Sequence, residues 1–336
     1  MNKNKIKIGI AGYGKMGKIR EESFQSSDEV ELVSIYDSEK KAVKEGIHFC
    51  NSFEELLKTN IDAVFISTYV NVAADYVLTA LKAGKHVFCE KPPSINYDEL
   101  KPIEDFYVNT DLTLKYGFNH RFHYSVTEAK RIIDEGLMGK PILMRGIYGK
   151  AGSIDFNKEW RNYRKYSGGG ILMDQGIHML DLFRYLSNEE FSCIASYMDN
   201  LHWDIESEDN AFLILKSNSG IISTLHSSAT QWRHKFLLEM VFENGYVNLD
   251  GILSSTGSYA PEKLIFAYKA QEDVERAMGK PNENILYFEH DPSWRHELDE
   301  FINSIKKGVE IHNGNLNDAL EVMKLMDTIS ANRIIT

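Results

Sequence analysis

Apolar positions follow two different rhythms along the chain, and the change falls near residue 121. Before it, short runs of branched and aromatic residues alternate with stretches at helical spacing. Ile6, Ile8 and Ile10 open one strand, residues 30–36 (VELVSIY) form a second and His48–Asn51 a third. Asp62–Thr68 (DAVFIST) gives a fourth, and HVFCEKPP, from His86, runs from a strand into a loop. Runs this apolar suit strands covered on both faces. Helices are expected between them over 14–25, 38–45, up to Lys58, and Ala73–Ala83. Ser52-Phe53-Glu54-Glu55 is a capping box for the third of these, and Gly84 a C-terminal cap for the fourth. Strands and helices alternating at this pitch form βαβ units, hence a doubly wound parallel sheet with right-handed crossovers.

Beyond residue 121 the pattern shifts. An amphipathic helix is expected over 125–137 and a strand over 142–149 (ILMRGIYG). A loop rich in aromatics and Arg follows (Phe156 to Tyr166), then Gly168-Gly169-Gly170 and a helix to about Leu186. Strands then dominate: FSCIASYM, AFLILK, IISTLHSS, FLLEMVF and YVNLDG. Asn244-Gly245 joins the last two and predicts a type I′ hairpin, so this sheet is antiparallel and belongs to a second domain. AFLIL and FLLEMVF carry few outward charges, which predicts helices on one face and a partner subunit on the other. Two helices, roughly 293–307 and 317–332, close the chain. The domains expected are 1–121 and 122–336.

The loop after the first strand reads Gly12-Tyr13-Gly14-Lys15-Met16-Gly17, a G-x-G-x-x-G. Gly12 allows the tight turn, Gly14 lets a pyrophosphate approach the backbone, and Gly17 lets the helix pack close to the strand. The pyrophosphate then rests on free N–H groups at the helix start. The second strand ends in Asp37, placed to accept hydrogen bonds from ribose hydroxyls. Ligands of such sheets bind beyond the carboxyl ends of the strands, which puts Gly12, Asp37, Ser67, Thr68 and Glu90-Lys91-Pro92 on one rim. The prediction is a Rossmann dinucleotide site. Asp37 would repel a 2′-phosphate and Ser38 supplies no cation, which favours NAD over NADP, although Lys40 and Lys41 are near.

Composition narrows the partners. The chain has 336 residues, 43% hydrophobic and 26% charged, with a net charge of −11. That balance argues against nucleic acid or anionic membrane as a partner. Cys50, Cys89 and Cys193 are few and scattered, as expected of reduced thiols in the cytoplasm. The first strand begins directly after Met1-Asn2-Lys3-Asn4-Lys5, which leaves no room for a signal peptide, and no run is long enough for a membrane span.

Lys91 follows a strand end and precedes Pro92, whose peptide bond can be cis and would then fix the direction of the lysine. Such a Lys can donate a hydrogen bond to a substrate oxygen and help move its proton. An ordinary loop lysine is the alternative. Asp174 and His178 stand four apart in a predicted helix, about 5–6 Å apart at Cβ. A carboxylate near an imidazole raises its basicity, making His178 a general-base candidate. A structural salt bridge is one alternative. Two ligands of a metal site are another, with no His, Cys or Glu cluster to offer a third, so no metal is expected.

These pieces together resemble the Gfo/Idh/MocA family, the glucose–fructose oxidoreductase and inositol dehydrogenase group. The glycine motif, CEKP (Cys89 to Pro92) and GGGILMDQGIHMLD (Gly168 to Asp181) stand in the family's order, and KYGFNHRF (Lys115 to Phe122) is similar to its domain-crossing segment. The resemblance implies a nucleotide-binding domain followed by an α/β domain with a large, mostly antiparallel sheet that carries substrate contacts and oligomer interfaces. It further implies that Lys91, Asp174 and His178 are the catalytic set, in a cleft between domains, and that the protein is a homodimer or homotetramer. Glu90 and Lys91 join the cofactor contacts, and Asn119, Arg121, Trp160 and Arg161 are substrate candidates. The family's T-P-N-x-x-H loop is replaced by Thr68-Tyr69-Val70-Asn71-Val72-Ala73, so contacts there extend no further than Ser67 and Thr68. The implied reaction is hydride transfer between a nicotinamide and a secondary hydroxyl of a sugar, sugar nucleotide or cyclic polyol. Aromatics and cations at 160–166 and 231–235 would suit a sugar nucleotide; mixed surface loops are the alternative. A cofactor-bound metabolite sensor and a redox-neutral glycoside cleavage are the competing classes.

Overall fold

Six strands form the first sheet: β1 (Ile6–Ala11), β2 (Val30–Tyr36), β3 (His48–Cys50), β4 (Ala63–Ile66), β5 (His86–Glu90) and β6 (Leu114–Gly117). All pairs are parallel, in the order β3-β2-β1-β4-β5-β6, with Ile8 between Leu32 and Ala63. The chain direction across the sheet reverses between β1 and β4, which opens a crevice at their carboxyl ends. The structure is a computed structural model describing residues 5–152, 156–270 and 281–334. Helices α1 (Lys15–Gln25), α2 (Phe53–Lys58), α3 (Val70–Lys82) and α4 (Lys101–Tyr107) connect the strands. Ile8, Ile10, Phe65 and Phe88 are fully buried, with Phe65 stacked on Phe88 at 4.6 Å.

The described residues divide by packing into two units, and the division is not contiguous. The first holds residues up to Asn119 with Lys165–Gly168 and Trp294–Met323; the second holds His120–Arg164, Gly169–Ser293 and Lys324 onward. A break at 121/122 would have left the helix Ser293–Lys307 with the second sheet. Instead its Leu298, Phe301 and Ile302 join the core of the first. Buried charge is part of the reason. Arg20, fully buried, hydrogen-bonds Glu90 at 2.5 Å and is ion-paired with Glu297 at 2.7 Å, and Lys115, also fully buried, bonds Glu300 at 2.5 Å. Cations out of water require such partners, and the late helix supplies two of the three carboxylates.

Two local expectations change. Residues 38–45 form no helix. Asp37 Oδ1 accepts the Glu39 N–H at 2.9 Å, a side-chain turn that competes with helix initiation, while Lys41 and Lys44 reach Glu39 and Glu21. The capping box is present, with Ser52 Oγ accepting the Glu55 N–H at 3.1 Å, but the Glu55 carboxylate takes the Asn51 N–H rather than that of Ser52.

In the second unit eight strands run in the order β14-β13-β12-β11-β7-β10-β9-β8. They are β7 (Pro141–Ala151), β8 (Phe191–Asp199), β9 (Asn210–Ser217), β10 (Ile222–Ser228), β11 (Thr230–Phe242), β12 (Gly245–Asp250), β13 (Glu262–Tyr268) and β14 (Asn284–Phe288). Every pair is antiparallel except β7 with β10. Helix α5 (Tyr124–Asp134) packs on β12 and β13, and α6 (Ile177–Ser187) on β7. The β11–β12 hairpin forms, but not through a type I′ turn: Phe242 pairs with Gly245, and neither loop residue, Glu243 nor Asn244, has a positive φ. The loop is held from outside, by Lys140 and Met138 carbonyls accepting the N–H groups of Glu243 and Asn244. Gly245 is needed for closeness, since a Cβ there would lie 2.4 Å from the Ala267 carbonyl oxygen.

Along β9, buried Leu213 and Leu215 alternate with exposed Phe212 and Ile214. With Ile194 and Ile222 they form an apolar outer face, beside a hollow of about 460 Å³ lined by Arg145, Tyr197, Phe212 and His226 among others. No candidate site residue lines that hollow. Among the described residues no helix is long and apolar enough to cross a membrane.

Candidate active site

The rim of the first sheet is built mostly from main chain. Gly12 has φ +87°, donates its N–H to the Tyr36 carbonyl at 2.8 Å, and would bring a Cβ within 2.5 Å of the Ser67 carbonyl oxygen. A Cβ at Gly17 would meet the Gly12 carbonyl oxygen, whereas Gly14 faces open space. Lys15 and Met16 begin α1, which no side chain caps. Asp37 Oδ2 accepts the Tyr13 N–H at 2.7 Å, locking the carboxylate of β2 to the glycine loop. Tyr13 is buried, and its hydroxyl donates to Glu21. Burial, then the bond to Glu21 and its charge, push this phenol up to about 12. Lys41 lies 3.9 Å from Asp37 but 2.6 Å from Glu39, so its charge is shared. Ser67 Oγ is buried with no hydrogen-bond partner among the described residues, and Thr68 Oγ1 donates to the Tyr69 carbonyl at 3.3 Å. An uncapped helix start, open space at Gly14, an orphaned hydroxyl and a strand-end carboxylate together fit a dinucleotide.

Lys91 leaves β5 on the same rim, and the Lys91–Pro92 peptide is cis. Glu90 before it is committed through Oε1 to Arg20, whose guanidinium lies over the Phe88 ring at 4.2 Å and the Trp294 ring at 4.7 Å. Burial alone would lower the Arg20 pKa; Glu90 and Glu297 outweigh it and raise it. The strand end beside Lys91 is therefore pinned by a buried ion pair.

In the second unit the expected single helix after Gly170 has two pitches. Leu172–Gly176 is a π-helical turn, and α6 continues from Ile177. Such turns recur at functional sites because they shift side chains off the α-helical register. Asp174 sits in this turn, with Oδ1 accepting from Arg161 Nε at 3.1 Å and Oδ2 from Lys150 at 3.4 Å. Arg161 in turn lies over the Trp160 ring at 4.5 Å. Glu208 holds the start of the segment, accepting the Gly170 N–H at 2.9 Å. Burial raises its carboxyl, an effect only partly offset by backbone N–H groups and Arg164.

His178 is buried on the first turn of α6, its ring stacked on His120. Tyr148, on β7, bonds His120, and Tyr259 packs edge-on to Tyr148 while accepting from Gln175 at 2.9 Å. Both phenols are held well above the usual range, chiefly by burial, so they remain hydroxyl donors. Arg121, 3% exposed, forks onto Asp181 at 2.6 and 2.8 Å, and Asn119 is buried in the 3-10 turn Asn119–Phe122. Sequence reasoning passed over His120, Tyr148, Lys150 and Tyr259. His120 stood between two residues it had marked; Tyr148 and Lys150 share β7, and Tyr259 comes from a loop more than 100 residues further on.

One cluster of metal-ligand type exists among the described residues: His48, Cys50 and Glu55, with ligand atoms within 4.8 Å. Its contacts are those of a helix start. Glu55 takes the Asn51 N–H at 2.7 Å, and burial, then the Glu55 charge, push the Cys50 thiol up to about 11.

Comparisons with known proteins agree with this architecture. Residues 6–118 match the model of the oxidoreductase family with an NAD-binding Rossmann fold, and residues 126–248 match the GFO/IDH/MocA C-terminal domain. Myo-inositol 2-dehydrogenase of Thermotoga maritima is 26% identical over 318 residues, covering 90% of this chain and 89% of its own. Inositol 2-dehydrogenase of Rhizobium meliloti is 25% identical over 338 residues, covering 96% and 95%. A solved levoglucosan dehydrogenase in complex with NADH and levoglucosan superposes with a TM-score of 0.86 at 19% identity, over 98% of this chain and 97% of that one. The chain belongs to the Gfo/Idh/MocA family of NAD-binding oxidoreductases.

Proposed function

We propose that the chain oxidises and reduces a ring carbon bearing a secondary hydroxyl, on a cyclic polyol or a sugar, with NAD as its redox partner. The observation that carries this reading is His178, a buried imidazole one turn beyond a carboxylate that two cations share. The names of the relatives, inositol and levoglucosan dehydrogenases, support the substrate class. Gly12 to Gly17 and the first turn of α1 would hold the pyrophosphate, Asp37 the ribose hydroxyls, and Ser67, Thr68 and the Glu90-Lys91 strand end the remainder. When bound, NAD supplies a hydride acceptor at the nicotinamide C4.

In the oxidative direction His178 takes the hydroxyl proton, and Lys91 serves the substrate as a hydrogen-bond donor. Asp174 orients the imidazole while Arg161 and Lys150 hold the carboxylate in place. Trp160 and Arg161 offer a ring and a cation to the sugar. Asn119 and Arg121, the latter locked on Asp181, are further substrate candidates. The exposed apolar face of the second sheet supports a homodimer or homotetramer, and the three buried free cysteines support a cytoplasmic setting.

The test is an NADH absorbance assay with NAD and a panel of inositols, free and anhydro sugars, and UDP-sugars, run on wild type and Lys91→Ala. A signal with a cyclic polyol or sugar is expected, falling at least about 100-fold in the variant. NAD binding without NADH formation on any substrate, or an unchanged rate in Lys91→Ala, would overturn the proposal.

A further inference from the structure

His120 and His178 are stacked face to face, with ring centroids 3.8 Å apart and planes 13° from parallel. Both rings are buried, 7% and 5% exposed. His120 Nε2 lies 3.0 Å from Tyr148 Oη. The ring of His120 therefore has a hydrogen bond fixing its plane, and His178 has a wall of fixed plane to lie against. Two imidazolium ions in face contact, away from water, would repel with little screening, so the second proton to reach such a pair is strongly disfavoured.

Charged side chains on the elements beside the pair have partners of their own: Arg121 and Asp181 hold each other at 2.6 and 2.8 Å. Phe236 closes one side at 6.1 Å from His120. His123 lies edge-on at 5.6 Å but faces Glu262 at 3.0 Å and Asp291 at 3.8 Å. Asp174 is the shared acceptor of Arg161 and Lys150, and Tyr148 and Tyr259 remain neutral phenols. The Phe236 ring also packs edge-on against Tyr148 at 5.2 Å, so the group sits on an apolar floor.

We propose that His120 is a positioning residue for His178: the stacked pair, anchored by Tyr148, carries at most one proton and so keeps His178 a neutral acceptor further into the acid range than it would be alone. The inference rests on the reading of His178 as the proton acceptor. Its sign is fixed by charge. Removing the ionisable neighbour raises the His178 pKa, so the base is lost at a higher pH and the acid limb of kcat/KM moves up.

The test uses the full chain and two variants, His120→Gln, which keeps a polar partner for Tyr148, and His120→Phe, which keeps a stacked ring. The His178 ring proton is followed by NMR from about pH 5 to 9, with the kcat/KM profile measured alongside. In wild type one proton shared by the two rings is expected, so the His178 resonance covers only part of its full shift by about pH 5. In His120→Gln a single step about one pH unit higher is expected, with the acid limb displaced equally, and in His120→Phe a shift in the same direction. A full-amplitude wild-type step whose midpoint neither variant moves would overturn the inference. The titration reads the pair whether or not His178 is catalytic, whereas full turnover in His178→Ala would overturn the reading beneath it.

Discussion

The rim of the first unit and the imidazole group of the second are both polar sites, yet they are made of different material. The rim is main chain: a glycine at φ +87°, backbone N–H groups, and a carboxylate that accepts one of them. The imidazole group is side chains brought from two 3-10 turns, a long strand, a π-helical turn and the α-helix that follows it. A backbone site is written in consecutive residues, because the chain must turn where the glycines are. A side-chain site depends on which strands pair. Tyr148 meets Phe236 because β7 and β11 align those two residues across the sheet, and nothing near either residue says so.

The contrast can be broken most forcefully at the glycines. Gly12→Ala forces a positive φ and a Cβ within 2.5 Å of a backbone oxygen, and is expected to cost about 3 kcal/mol or more of stability in denaturant unfolding without ligand. Gly14→Ala, which meets open space, should leave unfolding unchanged while weakening NAD about tenfold in a calorimetric titration. Equal effects on stability would mean the two positions are not divided between turn and ligand.

A smaller effect sharpens the same division. Asp37→Asn keeps an acceptor for the Tyr13 N–H but gives up the negative charge at the ribose. A loss of NAD affinity of about tenfold or less is expected, with the gap to NADP narrowing. Unchanged preference in parallel titrations would place nucleotide discrimination elsewhere, for instance on Lys40 and Lys41.

Much of the first sheet was legible because its strands are short, apolar and bounded by strong punctuation: the glycine motif, Ser52 before α2, Gly84 after α3. The segment 38–45 was not, because Asp37 spends one carboxylate oxygen on the Glu39 N–H, a competition that composition does not reveal. The return of Ser293–Lys307 to the first unit was hidden for a related reason. Its amphipathic pattern declares a buried face, but only the burial of Arg20 and Lys115 shows which core needs Glu297 and Glu300. At the candidate site, Asp174 and His178 were visible by spacing, while the turn between them was not: an α-helical period predicts one continuous helix, and the chain inserts a π-helical turn.

The central claim is that the first unit holds NAD and the second moves the proton. Parallel measurement of NAD affinity and of turnover in wild type and His178→Ala tests it most directly. The account predicts matching NAD dissociation constants and a fall in kcat of at least about 100-fold in the variant. Turnover within a fewfold of wild type in His178→Ala would contradict it.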